Sequence, residues 1–372
     1  MPGALTVVQL LPALDGGGVE RSTLEIADAL VRAGHRALVV SAGGRLVPRL
    51  EALGARHVTL DIGRKSLWTL RHVAALRRLF AEERADIVHA RSRLPAWLGW
   101  RALQGMDAAR PRFVTTMHGL NSPSRYSAIM ARGERVICVS ATVRDYLLRH
   151  YPHTDPGVLR VIPRGIDPAA FPRTPAPDAD ARARVAALHP ALGGEGPLLL
   201  LPGRGTRLKG HVDALDLLHA LRRDGLDARL WLPGSREPGR ARYLDELAAH
   251  AAVLGIDGAV AFSPPTDAIA EAYAASDLVL QLSRKPEAFG RTVVEALSIG
   301  RPVVGWDHGG VGELLRIDQP TGAVPPFDHD ALHRAARAAL DHPPPPPVTM
   351  RHTLQAMQEA TLAVYAEFDA AR

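Results

Sequence analysis

The sequence is poor in cysteine and aromatic residues and has no long apolar run. Its single cysteine, Cys138, excludes an internal disulfide and an all-cysteine zinc site, and its apolar context RVICVSA predicts a small buried side chain. Aromatic residues make up 5% of the chain, and base-stacking, RNA-binding and zinc-finger motifs are missing. Because no apolar run reaches eighteen residues and MPGALTVVQLLPALDGGG lacks the features of a signal peptide, we expect a cytoplasmic protein.

Positive charge is concentrated in one half of the chain. Residues 1–167 contain 24 Lys and Arg against 14 Asp and Glu, a net charge of +10, whereas the remainder contains 21 against 25, a net charge of −4. A basic half indicates an anionic partner, either nucleic acid or a membrane surface. Since nucleic-acid motifs are missing, we favour a membrane or an anionic acceptor, with a solvated arginine-rich surface as the alternative.

Apolar strands alternate with amphipathic helices along both halves. Seven candidate strands lie in LTVVQLL, RALVVSA, RHVTLD, DIVHA, RFVTTMH, RVICVSA and VLRVIPRGID. Six more lie in PLLLLPGRG, DARLWLPGS, AVAFSPP, LVLQLS, RPVVGWD and GAVPPF. This alternation is typical of parallel sheets covered by helices and predicts an α/β protein with two successive domains.

A polar stretch, PRTPAPDADARA, interrupts the pattern and predicts a linker. The proline run at 342–347 ends the second domain because proline stops a helix. After this run, apolar residues recur at roughly helical spacing, so a last helix needs a surface to cover. The predicted divisions are a first domain (1–171), a linker (172–190), a second domain (191–345) and a carboxy-terminal helix (346–372).

Two glycine-containing loops follow candidate strands. Gly16–Gly18 come directly after the first strand, where glycine lets backbone N–H groups approach an anion, although a plain tight turn is the alternative. In GRGTRLKG, Arg204 and Lys209 suit a diphosphate, because guanidinium binds oxygens in a fork and ammonium supplies a point charge. A solvated basic loop is the alternative here. The spacing of the first loop departs from the dinucleotide-binding fingerprint. The spacing of the second departs from the P-loop pattern, and this second departure disfavours an ATPase.

Two acids lie eight residues apart in PEAFGRTVVEALSIGRPVVG. Glu287 follows the apolar strand LVLQLS, at the carboxyl end of a parallel strand, where open α/β sheets bind ligands. Glu295 lies in the first turns of the next helix and can face the same crevice. The acids can accept hydrogen bonds from sugar hydroxyls, and the helix N-terminus can donate to phosphate. An ordinary exposed pair is the alternative.

These motifs resemble, over essentially the whole chain, the retaining nucleotide-sugar glycosyltransferases of the GT-B fold. The bacterial group in question, group 1 or family 4, includes lipopolysaccharide and mannosyl transferases. Its E-x7-E element matches EAFGRTVVE, and GGGVE, TMHG, VICVS, PRGID, GRGTRLKG and DHGGVGELL occur in the expected order. The resemblance implies two Rossmann-like parallel-sheet domains facing a central crevice, with the carboxy-terminal helix packing back on the first domain.

The resemblance implies catalytic roles for four residues. Glu287 would bond the hydroxyls of the donor sugar, and His118 would lie near the transferred sugar. Arg204 and Lys209 would neutralise the leaving diphosphate, so that the reaction needs no metal ion and no other cofactor. The resemblance implies that the sugar is transferred with retention through a front-face attack, in which the departing phosphate oxygen takes the acceptor's proton. It implies no protein nucleophile.

The remaining donor contacts are implied in the same way. Glu295 would hold the ribose hydroxyls, backbone amides after Glu287 would contact sugar and phosphates, and the glycine loop of the first domain would close over the diphosphate. The donor-binding residues are then Gly17, Gly18, Arg204, Lys209, Phe289, Gly290, Arg291, Thr292 and Glu295. The sequence departs from the family pattern at two positions. Arg164 stands where the family usually has an asparagine, and Gly205 is an extra glycine where a bulkier apolar residue is common.

The function expected from this resemblance is transfer of a sugar from a nucleotide donor, a UDP-sugar, to a glycan or lipid-linked acceptor in lipopolysaccharide or related biosynthesis. The basic first domain would hold the enzyme on the anionic inner face of the cytoplasmic membrane. A hydrolysing nucleotide-sugar 2-epimerase shares the fold, but the E-x7-E and GRGTRLKG elements count against it. A silent sugar-nucleotide or membrane-binding module is disfavoured by the intact charged residues. Nucleic-acid binding would ignore uridine nucleotides and fall steeply with salt.

Overall fold

The computed structural model describes residues 3–107 and 110–368, which form two compact units. The first unit comprises Met1–Arg164 together with Leu354–Arg372, and the second comprises Gly165–Thr353. Each unit is built on one parallel sheet, as the alternation of strands and helices predicts. The domain boundaries that we assign from the sequence, at residues 171, 190 and 345, stay a prediction.

Seven parallel strands form the sheet of the first unit, in the order β3-β2-β1-β4-β5-β6-β7. They are β1 Thr6–Leu10, β2 Arg36–Ser41, β3 Arg56–Thr59, β4 Ile87–Ala90, β5 Arg112–Met117, β6 Arg135–Cys138 and β7 Leu159–Val161. Each of these strands lies in one of the seven predicted segments. The strands β1 and β4 are buried along their whole length, which explains their largely apolar sequences.

Six parallel strands form the sheet of the second unit, in the order β10-β9-β8-β11-β12-β13. They are β8 Leu198–Leu200, β9 Arg229–Pro233, β10 Val260–Ser263, β11 Leu278–Gln281, β12 Val303–Trp306 and β13 Ala323–Val324. These strands also coincide with the predicted segments. Both sheets are therefore confirmed, with the number of strands that the sequence predicts.

Helices cover the sheets between the strands. In chain order they are α1 Gly18–Arg32, α2 Val47–Ala52, α3 His72–Glu82, α4 Arg93–Gln104, α5 Ala141–His150, α6 Ala179–Leu188, α7 His211–Arg223, α8 Ala241–Val253, α9 Ile269–Ala274, α10 Arg291–Ile299, α11 Gly309–Asp318, α12 His329–Asp341 and α13 Leu354–Ala366. In the first unit, buried side chains of α1, α2 and α13 share one core cluster, and those of α3 and α4 share another. The first sheet is thus enclosed between two helical layers.

The strand order reverses once in each sheet, between β1 and β4 in the first unit and between β8 and β11 in the second. At such a reversal, the loops that leave the carboxyl ends of the two strands turn to opposite faces and leave a crevice for ligands. The loop with Lys209 follows β8, and the loop with Glu287 follows β11. The strand order therefore places these two loops side by side.

The carboxy-terminal helix α13 packs on the first unit, which confirms the expected return of the chain. Tyr365 is 1% exposed, and its hydroxyl shares a hydrogen bond of 2.6 Å with Nδ1 of the buried His89. Just after the helix, Glu367 pairs with Arg160 and Arg135. Hydrogen bonds from Arg160, and to a lesser extent Arg135, lower the pKa of the Glu367 carboxyl to about 2 despite its partial burial.

The segment 172–190, which the sequence predicts as a linker, contains α6 within the second unit. The carboxylate of Asp178 caps this helix by accepting a hydrogen bond from the Ala181 amide over 2.9 Å. Ala181 and Val185 lie one turn apart and are both buried. Tertiary burial of this narrow apolar stripe stabilises a short helix whose composition alone is typical of a linker.

Two expectations from what the sequence lacks can be compared with the structure. Cys138 is fully buried, as predicted, and burial raises the pKa of its thiol to about 12. Across the described ranges, no helix combines the length and the apolar character that a membrane-spanning segment requires.

We predict that the valine of α13, Val364, contributes to the stability of the first unit. Val364 is 3% exposed, and Val364→Ala should lower the free energy of unfolding by about 2 kcal/mol through lost burial and a new cavity. Val253, which is 84% exposed on α8, provides the matched control, and Val253→Ala should cost less than about 0.5 kcal/mol. Urea denaturation measures both, and equal effects would contradict a buried α13.

Candidate active site

Lys209 and Glu287 form an ion pair at the strand-order reversal of the second unit. Lys209 ends the short 3₁₀ helix Arg207–Lys209, and Glu287 lies in the loop between β11 and α10. The Lys209 ammonium donates a hydrogen bond to Oε1 of Glu287 over 2.6 Å. Both side chains are about one quarter exposed, at 27% and 26%. Two of the candidate residues that the sequence predicts therefore meet, and they do so by pairing with each other.

Glu287 is held as a carboxylate. Its burial raises the pKa, but the charge of Lys209 and hydrogen bonds from Lys209, Ser283 and Gln281 outweigh this effect and hold the pKa below its usual value. Ser283 Oγ donates to Glu287 Oε1 over 2.5 Å. A lowered pKa means that the carboxylate stabilises the fold at neutral pH and that this contribution is lost as the pH falls through the lowered pKa.

Ser283 and Gln281 are site residues that the sequence did not single out. Both lie at the end of the predicted strand LVLQLS, where the carboxyl end of a parallel strand opens into a ligand crevice. The Ser283 amide donates to Gln281 Oε1 over 3.1 Å, so the two side chains form one network with the acid. Their position at the carboxyl end of a buried strand was the available signal.

Glycines allow the loops around Glu287 to approach closely. Gly210 has φ +74°, and a Cβ there would lie 2.0 Å from the Leu282 carbonyl oxygen. The Gly310 amide donates to the Glu287 carbonyl over 2.7 Å, and a Cβ on Gly310 would lie 2.4 Å from the Phe289 carbonyl oxygen. Side chains at either glycine would separate the loops, which explains the last glycine of GRGTRLKG and the second glycine of DHGGVGELL.

Arg204 lies in the same loop as Lys209 but is exposed. Within the described residues, its guanidinium makes no ion pair, so this cation remains available to an anionic ligand. The extra glycine that follows it, Gly205, packs against the next strand's loop, since a Cβ there would lie 2.1 Å from the Ser235 carbonyl oxygen. This departure from the family pattern is therefore a packing requirement.

The second acid, Glu295, lies on α10 and is 7% exposed. Its Oε2 accepts a hydrogen bond from the Tyr273 hydroxyl over 2.9 Å. The same helix begins at Arg291 after Gly290, which as a glycine offers no side-chain cap. Glu287 lies in the loop before this helix and Glu295 lies within the helix, in the order of strand, loop and helix that the sequence predicts.

One further predicted donor residue, Phe289, lies just before α10. Phe289 is 8% exposed, and its ring packs edge-on against His352 at 5.7 Å. Its side chain is therefore structural, which is compatible with a role for its backbone only.

Three predicted residues lie in the first unit. Gly17 has φ +155° and is the N-cap of α1, which begins at Gly18. His118 follows β5 and is half-buried. All three are at the carboxyl edge of the first sheet, and their part in any reaction stays a prediction.

Two family models match the chain in succession. The model of Glycosyltransferase Family 4 matches residues 16–170, and that of Glycosyl transferases group 1 matches residues 189–357. The chain belongs to the group 1 glycosyltransferases. The second match contains the paired Lys209 and Glu287 as well as Arg204 and Glu295, and the first contains the glycine loop and His118.

Individual relatives of this glycosyltransferase agree with that membership. The D-inositol 3-phosphate glycosyltransferase of Jonesia denitrificans is 32% identical over 247 residues, which are 61% of this chain and 56% of that protein. Two similar relatives are covered over 59% and 64% of their length, so the alignments span less than two thirds of these curated proteins.

Solved structures confirm the GT-B fold. A glycosyltransferase from Rickettsia africae is 26% identical, with a TM-score of 0.86 and 98% of each chain covered. Anabaena Alr3699/HepE in complex with UDP and glucose has a TM-score of 0.76 at 23% identity, covering 99% of this chain and 96% of that one. The roles of individual residues in this glycosyltransferase stay predictions.

The ion pair leads to opposite predictions for the two acids. Glu287→Ala frees Lys209, so uridine diphosphate (UDP) should bind this variant at least as tightly as wild type. Glu295→Ala should bind UDP about tenfold or more weakly, because a charged hydrogen bond to the ribose would be lost. Isothermal titration calorimetry measures both affinities.

Glu195→Ala removes an exposed acid of the same unit and should leave UDP binding unchanged. If Glu287→Ala binds UDP more weakly than Glu295→Ala does, then the two acids have been assigned the wrong way round.

Proposed function

We propose that this protein transfers a sugar from a nucleotide diphosphate donor, a UDP-sugar, to an acceptor hydroxyl, with retention and without a metal ion. The observation that carries the proposal is the Lys209–Glu287 pair at the β8/β11 reversal, beside the N-terminus of α10. A cation that would suit a diphosphate and a carboxylate that would suit sugar hydroxyls lie 2.6 Å apart there. Membership of the group 1 glycosyltransferases supports the same activity.

The pair suggests how the site changes its contacts when a donor binds. A diphosphate carries more negative charge than one carboxylate and can draw Lys209 away from Glu287. Lys209 and the exposed Arg204 would then stabilise the charge that grows on the leaving diphosphate. Glu287, released from Lys209 but still bonded to Ser283, would accept hydrogen bonds from the sugar and stabilise positive charge at its anomeric carbon.

In the proposed reaction, the bond from the anomeric carbon to the phosphate oxygen breaks while the acceptor oxygen attacks the same face of the sugar. The acceptor's proton passes to the departing phosphate oxygen. No protein nucleophile takes part, so these side chains act by positioning and by electrostatics.

We propose that the acceptor is a precursor of a cell-surface glycan or a lipid-linked acceptor. The reaction would take place in the cytoplasm, as in lipopolysaccharide biosynthesis. The name of the Jonesia relative indicates a small phosphorylated acceptor for that enzyme, so both acceptor types belong in an assay. The alternative of a hydrolysing 2-epimerase predicts that the donor sugar is epimerised in the absence of any acceptor. The matching family models are those of glycosyltransferases, which favours transfer.

We predict that Lys209→Ala and Arg204→Ala each reduce turnover by at least about tenfold without loss of the fold, because each removes a charge-assisted contact to the leaving group. A thermal-shift screen of nucleotide sugars first identifies the donor, since a ligand at a hundred times its dissociation constant adds about 2.7 kcal/mol of stability. Turnover of that donor is then measured in excess EDTA.

Arg242→Ala provides the matched control, because the Arg242 side chain is 96% exposed on α8 of the same unit. Its turnover should equal that of wild type. Normal turnover in both test variants would refute the diphosphate assignment. Loss of wild-type activity in EDTA, restored by magnesium or manganese, would refute metal independence.

We also propose that the first unit binds anionic lipid on the inner face of the membrane. The 3₁₀ helix Leu67–Arg71 exposes Trp68 by 78% and Leu70 by 56%, and the exposed cations Arg64 and Lys65 precede it directly. An apolar pair beside cations suits the boundary between lipid headgroups and acyl chains. Exposed arginines 71, 77 and 78 add to the same basic segment.

One arginine of the basic first domain, Arg91, does not belong to this surface. Arg91 is 2% exposed and donates hydrogen bonds to Gln9 and Ser22. Burial lowers its pKa to about 10. Arg91 cannot reach lipid, whereas Arg93 is half-buried with its guanidinium 5.2 Å from the Tyr126 ring centre.

The lipid proposal predicts that the protein co-sediments with phosphatidylglycerol vesicles more than with phosphatidylcholine vesicles. Each well-placed cation should contribute about 1 kcal/mol, so Arg64→Ala and Lys65→Ala should each weaken binding about fivefold, less at high salt. Leu70→Ala should weaken binding, and Leu188→Ala, which alters a leucine 76% exposed in the second unit, should not. Equally weak binding to both lipids would contradict the proposal.

A further inference from the structure

A second ion pair, between Arg284 and Asp213, connects the same two loops that Lys209 and Glu287 connect. Arg284 lies between Ser283 and Glu287, and its Nη1 donates to both carboxylate oxygens of Asp213, over 2.7 and 2.9 Å. The Asp213 side chain is 2% exposed and lies in the first turn of α7, directly after the loop of Lys209. The two loops at the β8/β11 reversal are thus joined a second time.

The backbone and a neighbouring ring strengthen this connection. The Arg284 amide donates to the Leu208 carbonyl over 2.8 Å, and its guanidinium lies 5.0 Å from the centre of the Phe327 ring. Phe327 follows β13 and has φ +67°, a left-handed conformation that is unusual for a bulky residue. Such strained residues persist only where their surroundings hold them, and they are concentrated at functional sites.

Arg284 is well placed to fix the direction of Glu287. The loop from Ser283 to Glu287 is also held at its ends, where His308 Nε2 donates to the Ser283 carbonyl over 2.8 Å and the Gly310 amide donates to the Glu287 carbonyl over 2.7 Å. Between these ends, the exposed Lys285 and Pro286 supply no anchor among the contacts described. The Arg284–Asp213 pair is therefore the side-chain anchor in the middle of the loop.

We propose that Arg284, anchored by Asp213, is a positioning residue that aims Glu287 at the donor sugar and so sets sugar recognition and turnover, but not diphosphate affinity. This inference rests on the proposed transferase function. It separates two tasks within one donor site: Lys209 and Arg204 hold the diphosphate, and Arg284 acts on the sugar through Glu287 alone. A displacement of about 1 Å at such a group is enough to cost about a hundredfold in rate.

The test compares Arg284→Ala with Arg182→Ala. Arg182 pairs with Asp277 over 3.2 Å, directly before β11, so the control removes a similar ion pair at the opposite end of the same strand. Because Arg284→Ala leaves the buried Asp213 without its arginine partner, with the His329 ring 3.7 Å away, the double variant Asp213→Asn/Arg284→Gln, which removes both charges, is measured beside it.

Three measurements are made on the full chain. We expect UDP affinity to stay within about twofold of wild type in the Arg284 variants, while kcat/KM for the donor found in the nucleotide-sugar screen falls about ten- to a hundredfold. Hydrogen exchange should become faster in peptides that cover residues 283–290 in these variants only. Arg182→Ala should match wild type in affinity, turnover and exchange of this segment.

Equal losses of UDP affinity and of turnover in the Arg284 variants would overturn the positioning role, since general damage to the site produces that pattern. Unchanged exchange at residues 283–290 would overturn it as well. If wild type turns over none of the screened nucleotide sugars, the proposed function fails, but the exchange measurement still decides whether Arg284 holds the loop.

Discussion

The constraint on which the candidate site depends is the side-by-side ending of two parallel strands, β8 and β11, whose loops turn to opposite faces of the sheet. This arrangement brings Lys209 and Glu287 within 2.6 Å, although 78 residues separate them in the chain. Glycines at positions 210 and 310 remove the side chains that would keep the surrounding loops apart. The electrostatics of the site follow from this closeness, because each charge lowers the cost of burying the other.

The pairing of Glu287 with Lys209 also prevents the loop from carrying an uncompensated charge. Because Lys209 is already paired, an anionic ligand would have to compete with Glu287 for its ammonium group. Under the proposed function, the exposed Arg204 would be the charge that a diphosphate meets first. Two cations in one site would favour ligands with several negative charges over singly charged ones.

The strands were predictable because buried parallel strands are short apolar runs, and the loop of Glu287 was predictable because it follows such a run. The contact of Asp213 with Arg284 was not, since 71 residues separate the two and neither lies in a pattern that indicates its partner. Arg91 shows the same limit. Its sequence neighbours suggest a basic surface, but its position at the end of β4 places it beside Gln9 and Ser22 in the interior. The local sequence pattern predicts helices and strands, whereas contacts between distant parts of the chain determine which charged side chains are buried.

The return of α13 to the first unit has a consequence for biosynthesis. The second unit is one continuous segment, Gly165–Thr353, whereas the first is made of two segments separated by the whole of the second. During translation, the second unit can therefore complete its core while the first still lacks the helix that covers α1. Until residue 354 and its successors leave the ribosome, the apolar face formed by α1, β1 and their neighbours stays open to water and to chaperones. The amino-terminal half of this protein, although synthesised first, cannot complete its core before α13 has been synthesised.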